Sequence, residues 1–272
     1  MTEPCRLCGA ETETYLTLPV LGQYDVRYYH CKECDLLQSE TPYWLEKAYS
    51  STISALDTGA ISRNVFCTRL AIVVGRLLRI PRTSPCLDYG GGHGVFTRMM
   101  RDAGWNFAWC DKYGPNLFAR GFEGDPQTPF AMVTAFEVFE HLVNVRDELT
   151  SLFAPGHNCV LVGTVLHTNP DSKWWYFVPE SGQHVAFFSR RTMRHIGDCF
   201  GYDAICGSAY SLFIKRGVAA RGWRRALIKR VLSWPWFAYG LGTLALELRM
   251  SPSRTWPDHL QLKAAASKDK ST

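Results

Sequence analysis

The chain of 272 residues lacks the clean apolar run of about eighteen residues that a membrane-spanning helix needs. Its nearest approach, Val231–Leu246, is interrupted by Pro235, Gly240 and Gly242. The opening residues Met1–Gly9 are polar and carry cysteine, unlike a secretory signal. Low-complexity sequence is confined to Lys263–Thr272, expected to be a disordered tail. Charge of one sign is scarce: the net value of +5 is mild. Acidic residues are absent from Ala204 to Leu246, where Lys215, Arg216, Arg221, Arg224, Arg225, Lys229 and Arg230 all lie. Hydrophobic residues make up 46%, enough for one large packed domain with a small appendage.

Cysteine is plentiful by contrast. Cys67, Cys86, Cys110, Cys159, Cys199 and Cys206 are scattered, several in apolar surroundings, as small buried hydrophobes are in a reducing compartment. That pattern predicts a cytoplasmic protein. The remaining four form two C-x-x-C pairs, Cys5–Cys8 and Cys31–Cys34, separated by twenty-two residues. Each pair offers two thiolates to one ion, so the two complete a tetrahedral structural zinc site. Gly9 fits a tight knuckle turn, and Thr14–Leu18 and Asp25–His30 alternate as ribbon strands. A redox dithiol is disfavoured, because no thioredoxin-like pattern surrounds either pair. Residues 1–40 carry three Lys/Arg against seven Asp/Glu, which argues against a nucleic-acid partner.

The most informative stretch is Cys86-Leu-Asp-Tyr-Gly-Gly-Gly-His-Gly94. An apolar lead-in, Asp88, then Gly90, Gly91, Gly92 and Gly94 predict a buried strand turning sharply into a helix whose N–H groups face a ligand. The alternating G-x-G-x-G spacing departs from the G-x-G-x-x-G of dinucleotide folds, which disfavours a nicotinamide enzyme. Phe107-Ala-Trp-Cys-Asp111 is a second apolar run closed by an acid. Phe130–Ala135 reads as a third strand. Further on come helix 140–153, strand 157–164, helix Ser189–Gly201 and a hairpin of Tyr202–Cys206 with Tyr210–Lys215. With helices Ser62–Arg79 and 95–104, and a short one near 115–120, this predicts an α/β, Rossmann-like, doubly wound, mostly parallel sheet. One strand is short or missing between Asp111 and Phe130, leaving Phe122 to Asp125 as adenine-side residues.

These motifs resemble the class I S-adenosylmethionine-dependent methyltransferases. The resemblance implies that Asp88 and Gly90–Gly94 hold the methionine end of S-adenosylmethionine and Asp111 its ribose. Phe136 and Glu137, just after the third strand, would sit beside the cofactor, with Glu140 and His141 supporting the active-site floor. The plainer reading makes Glu140 and His141 first-turn helix residues. An N-terminal zinc ribbon fused to such a domain resembles bacterial methyltransferases of sugar and polysaccharide biosynthesis, including nucleotide-sugar C-methyltransferases, over roughly residues 1–216. The implied partner is a sugar, nucleotide-sugar or glycan substrate.

The long loop Val165–Phe188 leaves the carboxyl end of a strand, where open α/β sheets bind ligands. It carries Lys173-Trp-Trp-Tyr-Phe177 and Gly182-Gln-His184, the latter resembling the segment that brings a histidine to the acceptor in sugar methyltransferases. His184 is the candidate general base, with Tyr176 assisting, and His141 and His167 as alternatives. Equally, His184 can orient the loop through a backbone hydrogen bond. Trp174 and Trp175 read as packing residues. The organisation expected is therefore a ribbon at 1–40, a methyltransferase domain at 41–216, and a basic, aromatic helical extension at 217–272. The extension packs as an extra layer on the domain or makes a dimer contact, or lies through 215–246 on an anionic membrane surface. Arg254-Thr-Trp-Pro-Asp-His259 reads as an ordered motif without an assigned role. Competing functions are an RNA methyltransferase, disfavoured by the acidic ribbon and by Ala135-Phe136-Glu137-Val138 in place of an N-P-P-Y motif, and a non-catalytic cofactor-binding scaffold.

Overall fold

The computed structural model describes residues 3–49, 58–218, 222–247 and 252–269. In chain order the elements are β1 (Glu13–Val20), β2 (Tyr24–His30), β3 (Leu37–Ser39), α1 (Leu45–Ala48), α2 (Ala60–Leu77), β4 (Cys86–Tyr89), α3 (Val95–Asp102), β5 (Phe107–Cys110) and β6 (Met132–Phe136). There follow α4 (Val145–Phe153), β7 (Cys159–Gly163), β8 (Ala186–Phe187), α5 (Arg190–Phe200), β9 (Tyr202–Cys206), β10 (Tyr210–Lys215), α6 (Trp223–Ser233), α7 (Pro235–Glu247) and α8 (Thr255–Asp269).

The large sheet has the order β5-β4-β6-β7-β10-β9. Its first four strands are parallel, and β10 runs antiparallel to β7 and β9. Side chains alternate faces as a strand requires. Cys86, Met132, Cys159, Leu161, Leu212 and Ile214 enter one core with α2, α3, α6 and α7. Leu87, Val133, Val160, Val162 and Phe213 enter the other, with α4, α5 and three of the knuckle cysteines. Both faces are covered, which explains why the central strands read as continuous apolar runs. The expected absence of a strand between Asp111 and Phe130 is observed: among the described residues only a parallel bridge, Trp109 to Glu123, extends β5 outward.

Two expected helices differ. Residues 115–120 form bends and turns, because Asp111 and Asn116 side chains take the local amide hydrogens. The helix expected from 140 begins at Val145; Phe139–His141 is a separate 3-10 turn that ends where Leu142 becomes extended. α5 matches its expected bounds, since Ser189 and Thr192 make a reciprocal capping box and Gly201 ends the helix at φ +79°.

The small sheet has the order β1-β2-β3-β8, all antiparallel. Its fourth strand comes from the long loop after β7, so the ribbon sheet extends beyond residues 1–40. Its core joins Leu18, Val26 and Tyr28 to Tyr176, Phe177, Val185 and Phe187. Two arginines fasten the knuckle to the large domain. Arg6 donates to Val185 O at 2.6 Å and Ser39 O at 3.2 Å, and Arg146 donates to Leu7 O at 2.9 Å.

The C-terminal extension is an added layer. Ile228, Val231, Leu232 and Ala238 are buried against α2 and the sheet. No described helix is long and apolar enough to cross a membrane. The tail expected to be disordered from Lys263 is helical as far as Asp269. The Arg254–His259 motif has a role: Asp258 is 2% exposed and receives two hydrogen bonds from the buried Arg101 guanidinium, at 2.7 and 2.8 Å, and one from Arg98 at 2.9 Å. Burial raises the Asp258 carboxyl, but Arg101 and Arg98 outweigh it and hold it below its ordinary value. Removing one partner of such a pair strands a buried charge. Asp258→Ala is therefore expected to lower unfolding free energy by about 3 kcal/mol, measured by urea denaturation. A loss under about 0.5 kcal/mol, the size of a surface substitution, would show that α8 is not anchored there.

Candidate active site

The strand order reverses between β4 and β6: the chain leaves β4 toward β5 and returns to β6 on the other side. The crevice outside the carboxyl ends of these strands is where doubly wound sheets bind ligands. The glycine loop lies on one side of it. Gly90, Gly92 and Gly94 have φ of +72°, +52° and +84°, values that exclude most side chains. Gly90 and Gly91 amides donate to Cys110 O at 2.8 and 3.1 Å. A Cβ on Gly91 would meet Asp88 Oδ2 at 2.6 Å, whereas one on Gly92 would project into open space. α3 starts at Gly94 with no side-chain cap and no acid in its first turn, which suits an anionic ligand group.

Asp88, expected at the methionine end, is 3% exposed. Its oxygens accept from Thr97 Oγ1 at 2.9 Å and Thr134 Oγ1 at 3.2 Å, so it braces the strand–loop–helix corner and shapes the loop from beneath. Neither threonine carried a sequence signal. Asp111 accepts from Gly92 N at 2.8 Å, Tyr113 N at 2.7 Å and Gly114 N at 2.6 Å. A carboxylate has about four acceptor positions, which leaves one of Oδ2 open to a hydroxyl. Phe136 ends β6 edge-on to Phe96 at 5.2 Å. Glu137 follows at φ +55°, an uncommon value for a residue with a Cβ, and lies 3.8 Å from Arg63 Nε. Phe122 is not open to an adenine: Arg101 lies 3.6 Å over its ring.

The opposite side gathers all four residues expected to be catalytic. Glu140 and His141 lie on the 3-10 turn after β6, Tyr176 on a second such turn, and His184 ahead of β8. Tyr176 Oη donates to Glu140 Oε1 at 2.6 Å and lies 3.2 Å from Thr164 Oγ1. His184 Nδ1 is 2.8 Å from Tyr176 O, and His141 Nδ1 is 3.1 Å from Gln183 O. A carbonyl only accepts, so each Nδ1 carries the hydrogen and each Nε2 keeps its lone pair. The two rings meet edge to face with centroids 5.0 Å apart. Burial pushes His141 down to about 4 and also lowers His184, where Glu140 partly offsets it; both are neutral at neutral pH. Burial and Glu140 raise Tyr176 well above its ordinary value. The expected alternative roles of His184, base and loop orienter, thus fall on its two different nitrogens. His167 lies elsewhere, with Nε2 3.0 Å from Asp35 O behind the knuckle. Trp174 packs on Phe177 and Phe187, while Trp175 is 69% exposed. Val138 joins the two sides, because a Cβ on Gly90 would meet its Cγ2 at 2.5 Å.

The four N-terminal cysteines converge, their sulfurs all within 4.8 Å of one another. Cys5 and Cys34 sulfurs are 3.5 Å apart, as are those of Cys8 and Cys31. The two knuckles repeat one geometry: Gly9 N donates to Cys5 O at 2.9 Å and Asp35 N to Cys31 O at 2.8 Å, both residues at positive φ. The contact with Cys34 and the Cys8 and Leu7 amides favour the thiolate on Cys5, and the same contact keeps the proton on Cys34.

A family model described as "Methyltransferase domain" matches residues 63–206, more than half of the chain. The chain belongs to this family. It is an enzyme of the methyltransferase class. No curated protein matches the sequence. Similar solved structures include CalO1, a methyltransferase in calicheamicin biosynthesis bound to SAH, at 13% identity and TM-score 0.39. The match covers 55% of this chain and 54% of that one, so the chain spans about half of its length. Magnesium protoporphyrin IX methyltransferase from Synechocystis with bound SAM matches at 12% identity and TM-score 0.39, over 64% of this chain and 92% of that one. A Burkholderia thailandensis 1,6-didemethyltoxoflavin-N1-methyltransferase matches at 11% identity and TM-score 0.41, over 70% and 93%.

Burial raises the Asp88 carboxyl from 3.8 to about 7, although the Thr97 and Thr134 hydroxyls favour its ionised form. The folded chain then holds a proton that the unfolded chain has already released. This stabilising contribution is complete below about pH 4 and is lost as pH rises through about 7. Between about pH 5 and pH 7.5 it should cost the wild type on the order of 2 kcal/mol. Asp88→Asn should lack that component. Equal pH slopes in urea unfolding of the two proteins would refute the assignment.

Proposed function

We propose that this enzyme transfers the methyl group of S-adenosylmethionine to a hydroxyl or carbon of a sugar, nucleotide-sugar or glycan intermediate. The observation that carries this reading is the gathering of Glu140, His141, Tyr176 and His184 just past β6, the strand paired with β4, which leads into the glycine loop. Bound S-adenosylmethionine supplies a methyl group already activated on its sulfonium. The chain's part is to hold both partners and to remove a proton. Gly90, Gly91, Gly92 and Gly94, braced by Asp88 at the start of α3, receive the methionine end, Asp111 a ribose hydroxyl, and Phe136 with Glu137 line the crevice between them. The Nε2 lone pair of His184 accepts the acceptor's proton, with Nδ1–H held on Tyr176 O. Aromatic residues on the long loop offer faces on which a sugar or base can stack. The acidic ribbon disfavours RNA as the acceptor.

The four-cysteine cluster we assign to structural zinc. Metal–sulfur bonds of about 2.3 Å in a tetrahedron put sulfurs roughly 3.8 Å apart, close to the 3.5 Å pairs observed. Trp223, Trp234 and Trp236 remain exposed beside Arg224, Arg225 and Arg230, which supports contact of 215–246 with an anionic membrane surface in the cytoplasm.

The test is calorimetric titration of S-adenosylmethionine into zinc-loaded protein, with NAD as control ligand. Wild type is expected to bind S-adenosylmethionine at about micromolar concentration, equivalent to roughly 8 kcal/mol. Asp111→Ala should weaken this at least about tenfold, or about 1.4 kcal/mol. Binding of NAD instead, or unchanged binding in Asp111→Ala, would overturn the assignment. Stripping zinc with a chelator is expected to melt the ribbon and, through β3 and β8, to loosen the His184 loop. Hydrogen exchange at Val185–Phe187 should then rise, while β6 and β7 stay protected.

A further inference from the structure

We propose that Glu140, His141 and His184 form a second metal site, for a divalent transition-metal ion, distinct from the four-cysteine cluster. One potential ligand atom of each residue lies within 4.8 Å of those of the other two. Glu140 is fully buried, and its Oε2 has no hydrogen-bond partner, while Oε1 is held by Tyr176 at 2.6 Å. A buried carboxylate oxygen without a partner is costly, and a cation satisfies it. Both imidazoles are prepared in the way metal ligands are: the Nδ1–H of His184 is fixed on Tyr176 O and that of His141 on Gln183 O. Such hydrogen bonds to backbone carbonyls set the tautomer and leave Nε2 to the ion. Tyr49 Oη lies 3.1 Å from His141 Nδ1 and adds to the same outer ring. Two imidazoles and one carboxylate suit zinc, iron(II) or cobalt(II), with positions left open for other oxygen ligands. The four thiolates of the knuckle make a closed, softer site.

This inference stands on the side-chain geometry and does not require the sugar reading. It does bear on the base. A cation on His184 Nε2 excludes a proton there, so metal ligation and the general-base role of His184 are alternative states. Metal content therefore decides between two states of one nitrogen.

The experiment uses the full chain with zinc in its cysteine cluster, confirmed by elemental analysis, then titrated with cobalt(II) chloride. One further equivalent of cobalt is expected, with weak visible bands of nitrogen and oxygen ligation and none of the intense sulfur charge-transfer absorption. His141→Ala and His184→Ala should each abolish that equivalent and keep the zinc. Tyr176→Phe, which releases Glu140 and Thr164 from the Tyr176 hydroxyl, should weaken cobalt binding by about 10–100-fold. S-adenosylmethionine binding by each variant reports whether it is folded. A wild type that takes up no second metal beyond the knuckle's, or a His184→Ala variant that binds cobalt as wild type does, would overturn the proposal. Unchanged affinity in Tyr176→Phe would equally remove Glu140 as a ligand.

Discussion

The pairing of Leu37 with Phe187 and Gln38 with Ala186 is the constraint on which the active site depends. It joins a short strand beside the cysteine knuckle to the far end of the loop that carries Tyr176 and His184. A loop as long as Val165–Phe188 has many conformations and would lose its geometry without an external template. The ribbon supplies it. Arg6 donates to Val185 O, and Trp44 Nε1 to Gly182 O at 2.8 Å, on either side of His184. The cysteine knuckle thus positions a residue about 150 places further along the chain.

The second requirement is charge management inside a dry core. Asp88, Glu140, Arg101 and Asp258 are all buried, and each is handled differently. Asp88 is solvated by two threonine hydroxyls, and Arg101 with Asp258 forms a forked pair. Glu140 is only half satisfied by Tyr176. The first two cases explain architecture: one holds the glycine loop at its angle, the other holds the last helix on α3. The second carboxylate oxygen of Glu140, on the turn just past β6, is left without a partner. Glu137, three residues earlier, sits at positive φ.

Much of this was legible in residue order because the signals were local. Asp88 with Gly90–Gly94 had to be a strand–turn–helix corner, since only glycine tolerates that backbone at three alternate positions. Two C-x-x-C pairs fold into near-identical knuckles because each turn closes within five residues, Cys5 to Gly9 and Cys31 to Asp35. Ser189 and Gly201 marked α5 by their capping chemistry. The short helix expected near 115–120 and the early start assigned to α4 failed for a common reason. Side-chain and tertiary hydrogen bonds claimed backbone groups that local periodicity would have left to a helix.

The sequence alone therefore determined the parallel α/β fold, the cysteine knuckle and the glycine loop, because each depends on backbone conformations set by neighbouring residues. Tertiary structure decided what those parts do together. It buried Asp88 beneath the loop, ended the ribbon sheet with a strand from the distant loop, and paired Arg101 with Asp258. It brought His184 within ring contact of His141 across 43 positions of sequence. Contacts of that separation arise from packing and desolvation of the whole chain, and no local pattern encodes them.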